Sequence, residues 1–253
     1  MTVKELYGYL DAKIPRSLSC EWDNDGLMCC PEPQKEVKRV LVALDISEEI
    51  VDRAIAEEYD VILSHHPLVF RPVKSLTDEA GVPRKLIRLV QNGITAMSFH
   101  TRFDALEGGV NDVLAGLLGL ANVTKFGECG ELMGRIGDVE PTTLDEFAEK
   151  VKKALGSPVV LYNGSRAVSR IALLGGNGDD FVGAAIAAGA DTYVSGRIGY
   201  HMMADAKENG INLIEAGHYF TEAPALDKLA QMVKEILPDA DVAIIGSNSI
   251  NVR

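Results

Sequence analysis

The chain has 253 residues, 47% of them apolar and 25% charged. That composition fits one large or two smaller globular domains and excludes a disordered or fibrous chain. Lys and Arg number 25 against 37 Asp and Glu, a net charge of −12, and aromatics are only 6%; such a chain repels phosphate backbones and has little stacking surface, so no nucleic-acid partner is expected.

No apolar run approaches the roughly 20 residues that a membrane helix needs. Residues 1–15 carry acids and no apolar core, so neither a membrane span nor a signal peptide is expected. Cys20, Cys29, Cys30 and Cys129 form no CxxC pair. They read as reduced and mostly buried, which makes a cytoplasmic protein the expectation.

Along the chain, residues 37–44 are β-branched and apolar and read as a strand, and Asp45-Ile46-Ser47 opens a helix over 48–57. A short buried strand at 61–63, a helix at 84–91, a strand at 94–99 and a helix at 110–118 ending at Gly119 follow. This alternation marks a parallel sheet covered by helices. Residues 122–130 read as a connector with a Gly-rich end. Beyond it lie a strand at 131–137, an amphipathic helix at 144–155 behind a Thr142/Thr143 cap, and strands at 159–162 and 167–174. A tight turn at 175–178, a small-residue helix at 181–188, a strand at 192–195, a helix at 201–209 and a strand at 211–215 come next. A long helix at 221–237 and a strand at 242–245 close the chain. The fold class is α/β: two α/β domains with mostly parallel or mixed sheets flanked by helices.

The chain has only five histidines, and four of them follow predicted strands: His65-His66-Pro67, His100 and His218. Ligands of parallel α/β sheets bind beyond the carboxyl ends of the strands. One face of one sheet is therefore expected to gather His65, His66, His100, His218, Asp104 and Glu222. His218 and Glu222 are four residues apart, as are His100 and Asp104, a spacing that shares a helix face. Imidazole with carboxylate suits Zn, Mn, Fe, Co or Ni. Six candidates exceed one tetrahedral ion and suit two divalent ions, with Glu222 the natural bridge. His201 stands alone at another helix start, as a capping or packing residue or a proton donor at a pocket rim.

These stretches are similar to a known family. EWDNDGL (21–27), SHHPLVF (64–70), HTRFDA (100–105), GGNG (175–178), GADTYVSG (189–196) and GHYFTE (217–222) run in the order found in the Nif-three-like family of dinuclear-metal proteins, whose members are often labelled GTP cyclohydrolase I type 2 homologues. The resemblance implies His65, His66, Asp104, His218 and Glu222 as metal ligands, Glu222 as the bridge, and His100 beside them, orienting Asp104 or contacting substrate. It also implies a C-terminal segment that returns to the first domain, giving domains 1–125 plus 217–253 and 126–216. A homohexamer forming a hollow toroid is implied too, and the chain looks like the short form without the inserted middle domain. Arg102, Arg197 and the pair Cys29-Cys30 depart from the family pattern. The two arginines read as solvated surface residues, or as groups that shift substrate preference toward an anion.

Two divalent ions polarise a substrate oxygen and activate water. The sequence shows no GxSxG and no complete GxxxxGK[ST] loop, so metal-activated water is the nucleophile to nominate. His100 and His201 are the candidate catalytic proton shuttles, and the 175–178 turn reads as a plain β-α turn or a weak anion site. The leading expectation is a metal-dependent hydrolase acting on a small polar substrate, of which nothing identifies a guanine pocket. The alternatives are a metal-binding scaffold or metal-handling protein without turnover, and a toroid that binds a partner through its cavity.

Overall fold

A computed structural model of the protein describes residues 1–79, 81–128, 131–246 and 248. The chain opens with helix α1 (Val3–Lys13), where the Thr2 hydroxyl accepts from Glu5 N and the Glu5 carboxylate accepts from Thr2 N; this reciprocal cap satisfies two otherwise unpaired donors. Then come β1 (Gly26–Cys29), β2 (Arg39–Ala43), α2 (Glu48–Ala56), β3 (Val61–Ser64), α3 (Gly81–Gln91), β4 (Thr95–Ser98), α4 (Thr101–Ala105) and α5 (Val110–Leu118). β5 (Ala121–Glu128), β6 (Glu131–Thr142), α6 (Leu144–Leu155), β7 (Leu161–Asn163), β8 (Val168–Asn177), α7 (Val182–Ala187) and β9 (Thr192–Arg197) follow. The chain ends with α8 (Tyr200–Ala204), β10 (Asn212–Glu215), α9 (His218–Glu222), α10 (Leu226–Ile236) and β11 (Asp241–Ile245).

Two compact units emerge. Met1–Phe103 with Leu226–Ser247 form the first, and the second is built on Asp104–Ala225. These bounds differ from the expected 1–125 plus 217–253 and 126–216. α5 packs on β6 and β8, and α9 packs on β8 and β9, so the apolar faces of both helices draw residues 104–125 and 217–225 into the second unit.

The first unit has a five-stranded sheet ordered β1-β4-β3-β2-β11. β4, β3, β2 and β11 are parallel, and β1 runs antiparallel on the β4 edge. Every residue of β3 and β4 is buried, as expected of parallel strands covered on both faces. Leu41, Ile50, Ile62, Leu89 and Ile94 belong to its core.

The second unit has a six-stranded mixed sheet ordered β5-β6-β8-β9-β10-β7. β8, β9 and β10 are parallel, while β5, β6 and β7 pair antiparallel. Leu114, Phe147, Val151, Ile171, Val194 and Ile214 pack in its core. α6 starts at a Thr143–Glu146 capping box and ends at Gly156 in the left-handed region.

Several elements depart from the sequence expectation. The connector at 122–130 is strand β5 up to Glu128; its remainder, with Cys129, lies outside the described residues. The long helix at 221–237 is two helices separated by a 3-10 turn at Ala223–Ala225, because Pro224 has no N–H to give and its ring crowds the preceding turn. The helix at 201–209 stops at Ala204. Residues 175–177 are the end of β8 rather than a turn. α1 and β1 add to the elements expected. Cys20 is buried, whereas Cys29 and Cys30 are only half-buried. Among the described residues no helix is long and apolar enough to cross a membrane.

Candidate metal centre

In the first unit the site begins with a rung between two strand ends. β3 and β4 are parallel neighbours with Ser64 opposite Ser98. The two hydroxyl oxygens are 2.8 Å apart, and Ser64 Oγ donates to His66 O at 2.7 Å. This rung ties the strand ends, so His65-His66 and His100 leave the sheet side by side. One ligand atom from each of the three imidazoles lies within 4.8 Å of the others.

Each ring is fixed through Nδ1. His65 Nδ1 meets Phe99 O at 3.0 Å, His66 Nδ1 meets Asp45 Oδ1 at 2.8 Å, and His100 Nδ1 meets Asp23 Oδ1 at 2.9 Å. A carbonyl or carboxylate oxygen only accepts, so Nδ1–H donates in each case and Nε2 is the nitrogen suited to a metal.

Behind the histidines lies a buried charge network. Asp23 also accepts from Thr101 Oγ1 at 2.6 Å and Thr101 N at 3.1 Å. Burial alone would push its carboxyl up, but hydrogen bonds from His100 and Thr101, together with the His100 charge, outweigh it and hold the pKa at about 2. Asp25 accepts from His100 N at 3.1 Å and from Arg102 Nε at 2.9 Å. Arg102 is fully buried. It also donates to Asp11 Oδ1 at 2.6 Å and Ile14 O at 2.9 Å, and stacks 4.4 Å from the Phe99 ring centre. Arg102 is therefore a core brace and not a solvated surface residue; Arg197, by contrast, is exposed.

In the second unit the donors are positioned by close backbone packing. α9 follows Gly217, whose φ of 89° suits glycine. His218 and Glu222, one turn apart, place Nε2 and Oε2 at 3.0 Å. Thr221 Oγ1 accepts from Gly176 N at 3.0 Å and donates to His218 O at 2.8 Å, fastening α9 to the end of β8. A Cβ at Gly176 would overlap the Glu222 carboxylate, and one at Gly196 would fall 2.5 Å from Thr221 Oγ1 and 2.7 Å from His218 Cα. The GGNG and GADTYVSG stretches thus supply the bare backbone against which α9 lies. Glu222 and Asp104 are both buried. Asp104 lies in the last turn of α4, where its carbonyl accepts from Asn111 Nδ2 at 3.2 Å while Asn111 Oδ1 accepts from Gly175 N at 2.8 Å. A cavity of about 190 Å³ lined by Ser157, Val159, Leu161, Tyr219 and Phe220 has His218 in its wall.

Comparison with known proteins agrees with this fold. The family model described as Duf34/NIF3 (NGG1p interacting factor 3) matches residues 1–251. The chain belongs to the DUF34/NIF3 family. A Clostridium perfringens relative named GTP cyclohydrolase 1 type 2 homolog is 34% identical, the match covering 98% of this chain and 96% of the relative. One of the same name from Streptococcus pneumoniae is 34% identical over 93% of this chain and 91% of the relative. A solved structure of a hypothetical protein of Staphylococcus aureus is 30% identical, with a TM-score of 0.89, covering 100% of this chain and 99% of that one.

Within this DUF34/NIF3 chain, the strand ends that deliver the histidines belong to two sheets, and the expectation of one face of one sheet is corrected. β3 and β4 carry His65, His66 and His100 in the five-stranded sheet, and β10 leads to His218 in the six-stranded one. His201 is exposed on α8 and is in none of the His/carboxylate groups suited to a metal among the described residues. Sequence reasoning missed Asp23 and Asp45, which hold His100 and His66. A signal existed for each: Asp45 stands two residues past the end of strand β2, and Asp23 lies within EWDNDGL. The donor set of imidazole nitrogens and buried carboxylates suits a borderline first-row ion, so the chain's His and Glu groups could hold a metal.

Proposed function

We propose that the protein is a metal-dependent hydrolase with two divalent ions, drawn from Zn, Mn, Fe, Co or Ni. His65, His66, Asp104, His218 and Glu222 would hold them, Glu222 as the bridge. The observation that carries this reading is the tethering of His65 and His66 through Nδ1 to Phe99 O and Asp45. Such tethering fixes ring orientation and tautomer, which is what metal-ligating histidines require. The Thr221 and Gly176 packing that fixes the His218–Glu222 turn supports the same role for the second unit's donors.

Bound in pairs, such ions polarise a substrate oxygen and lower the pKa of water, which is hydrolytic chemistry. The chain's own residues would do the rest. His100, with Nδ1–H committed to Asp23, exchanges a proton at Nε2. Its neighbours Trp22 and Phe70, both exposed, have ring centres 6.3 Å from His100 and set apolar surface beside it. What favours His100 over His201 as the proton carrier is its place beside two proposed ligands. Relatives named GTP cyclohydrolase 1 type 2 homolog point to cyclic amides, nucleotides and phosphoesters as the first substrates to try. A homohexamer is proposed with it, to be checked by light scattering.

Elemental analysis of chelator-free protein tests the reading first. Two metals per chain, with substantial loss in Glu222→Ala, is expected, followed by metal-dependent turnover in the substrate screen. A full metal complement in Glu222→Ala would overturn the ligand assignment; two metals without turnover would favour metal handling.

A further inference from the structure

We propose that the cavity beside His218 binds one aromatic ring that carries a hydrogen-bond donor and no negative charge, and that this ring is part of the substrate. Its place in a substrate rests on the proposed hydrolase; the binding site itself is built by the second unit alone.

The cavity forms where three segments meet. β7 is a three-residue strand at the sheet edge, antiparallel to β10, with Leu161 opposite Glu215. Ahead of it runs the stretch 157–160, where Ser157 N donates to Lys152 O at 3.1 Å and Ser157 Oγ donates to Val159 O at 2.7 Å. Pro158 restricts the backbone there further. After β10 the chain turns at Gly217 into α9. A Cβ at Gly217 would stand 2.8 Å from Phe220 Cδ2, so the bare glycine is what lets the Phe220 ring fold back over the start of its own helix. Phe220 also packs against the core of the unit. The Tyr219 ring stands 5.4 Å from it, at 87°. The walls are thus set before any ligand arrives, which lowers the cost of binding.

Size selects one ring. The cavity holds about 190 Å³. An apolar cavity of about 150 Å³ takes benzene, whereas sites for drug-sized molecules begin at about 300 Å³. A single ring therefore fits and a whole nucleotide does not. Tyr219 and Phe220 meet at a right angle, so an incoming ring finds both a face and an edge, the two arrangements that aromatic pairs favour. Val159 and Leu161 are each about half exposed, and a ring seated against them takes their apolar surface out of water.

Charge selects the kind of ring. Among the described residues Glu215 is the one acid that lines the cavity, and no lysine or arginine does. Glu215 Oε2 accepts from Ile198 N at 2.7 Å, which holds the carboxylate in place. A carboxylate accepts hydrogen bonds and repels anions. An O–H or N–H on the ring is therefore matched here, and a phosphate or carboxylate is not. His218 lines the same cavity, so the ring is held beside a proposed metal ligand. The substrate class that follows is an aryl ester or aryl amide with a neutral or cationic ring.

The test titrates chelator-stripped full chain with benzyl alcohol, benzylamine and benzoate, three probes that share a ring and differ in charge, followed by calorimetry and ligand-observed NMR. Benzyl alcohol and benzylamine should bind, and benzoate at least about tenfold more weakly. Leu161→Trp, which fills the cavity from an exposed edge strand, should weaken benzyl alcohol by at least about tenfold and leave metal content unchanged. Should circular dichroism show that this variant does not fold, Val159→Trp, outside the strand, replaces it. Glu215→Gln keeps an acceptor for Ile198 N and should bring benzoate up to match benzyl alcohol. Benzyl alcohol binding that ignores the filled cavity would overturn the proposal, as would benzoate equal to benzyl alcohol in the wild type. Metal-loaded enzyme separates the two readings. Ring binding without turnover of any compound would end the hydrolase and leave the ring site standing. Turnover in which Leu161→Trp changes kcat/KM for aryl and alkyl esters equally would keep the hydrolase and end the assignment of the ring to its substrate.

Discussion

The two units position their chemistry by opposite means. In the first, side chains are aimed by hydrogen bonds to charge: the buried Asp23 and the exposed Asp45 hold two imidazoles, and Arg102 braces Asp25. In the second, side chains are aimed by exclusion of volume: α9 lies on glycine backbone at Gly176 and Gly196, leaving its turn one place to sit. A charge-built site should tolerate changes of size and fail on changes of charge. A packing-built site should do the reverse.

The largest expected effect is from Arg102→Met. It keeps the volume of a fully buried side chain but leaves the Asp25 carboxylate, also inaccessible, without its buried cation, the exposed Arg16 standing 3.8 Å away. Breaking a buried pair from one side costs ~3–5 kcal/mol, to be read from chemical denaturation. A loss below about 1 kcal/mol would break the contrast, since surface pairs cost that little.

Gly196→Ala comes next. One methyl group would meet Thr221 Oγ1, Gly176 O and His218 Cα, the last at 2.7 Å, and overpacking of this kind costs ~1–3 kcal/mol. Metal content should fall with stability, because the displaced element carries Glu222. Unchanged metal binding would show that α9 is not positioned by packing.

Asp23→Asn keeps size and an accepting oxygen but removes the charge facing His100. Because Asp23 acts through His100, the proposed proton carrier, metal content should hold while metal-dependent turnover falls by up to ~100-fold. Unchanged turnover would place His100 and its anchor outside the chemistry.

A pH experiment probes charge where the second unit does use it. Arg135 is buried and donates to Asp112 at 2.6 Å and 2.9 Å. Burial would raise the Asp112 carboxyl, but the hydrogen bonds from Arg135 and Gly108 outweigh it and lower its pKa. A carboxyl lowered by folding adds stability above its unfolded pKa of ~3.9 and loses it as pH falls through the folded value. Asp112→Asn should therefore cost most at neutral pH, with its difference from wild type shrinking as pH falls below ~4. A difference that stays constant would refute the link. The smallest effect is Thr143→Ala, which removes the α6 cap and should cost ~1 kcal/mol with no change in metal binding.

The sequence was most informative where chemistry and strand ends coincide. His65, His66 and His100 follow strands of strong apolar character, and a bound on where parallel strands present ligands was enough to group them. It was least informative where a residue acts through the fold. Arg102 reads as a surface cation because its two carboxylate partners, Asp11 and Asp25, are 91 and 77 residues away in sequence. β5 was hidden because its residues 121–125 are exposed, so an edge strand there shows no apolar signal. Gly175 and Gly176 look like a turn in sequence; only their neighbour across the unit, α9, reveals that they are strand backbone kept bare. His201 shows the converse: the residue type suggested chemistry that its exposed position on α8 does not favour.

The order of the units along the chain has a consequence for synthesis. The first sheet ends with β11, which pairs with β2, yet roughly 120 residues of the second unit are translated between β4 and that last strand. At ~5–20 residues per second the ribosome needs about 6–24 s for that stretch. Throughout it, β2 has no partner on one side, and an unpaired apolar strand edge is a template for association with another chain. The cell must shelter that edge until the C-terminal strand arrives, so a nascent chain stalled before residue 241 should be a chaperone client even though every proposed metal ligand has already been made.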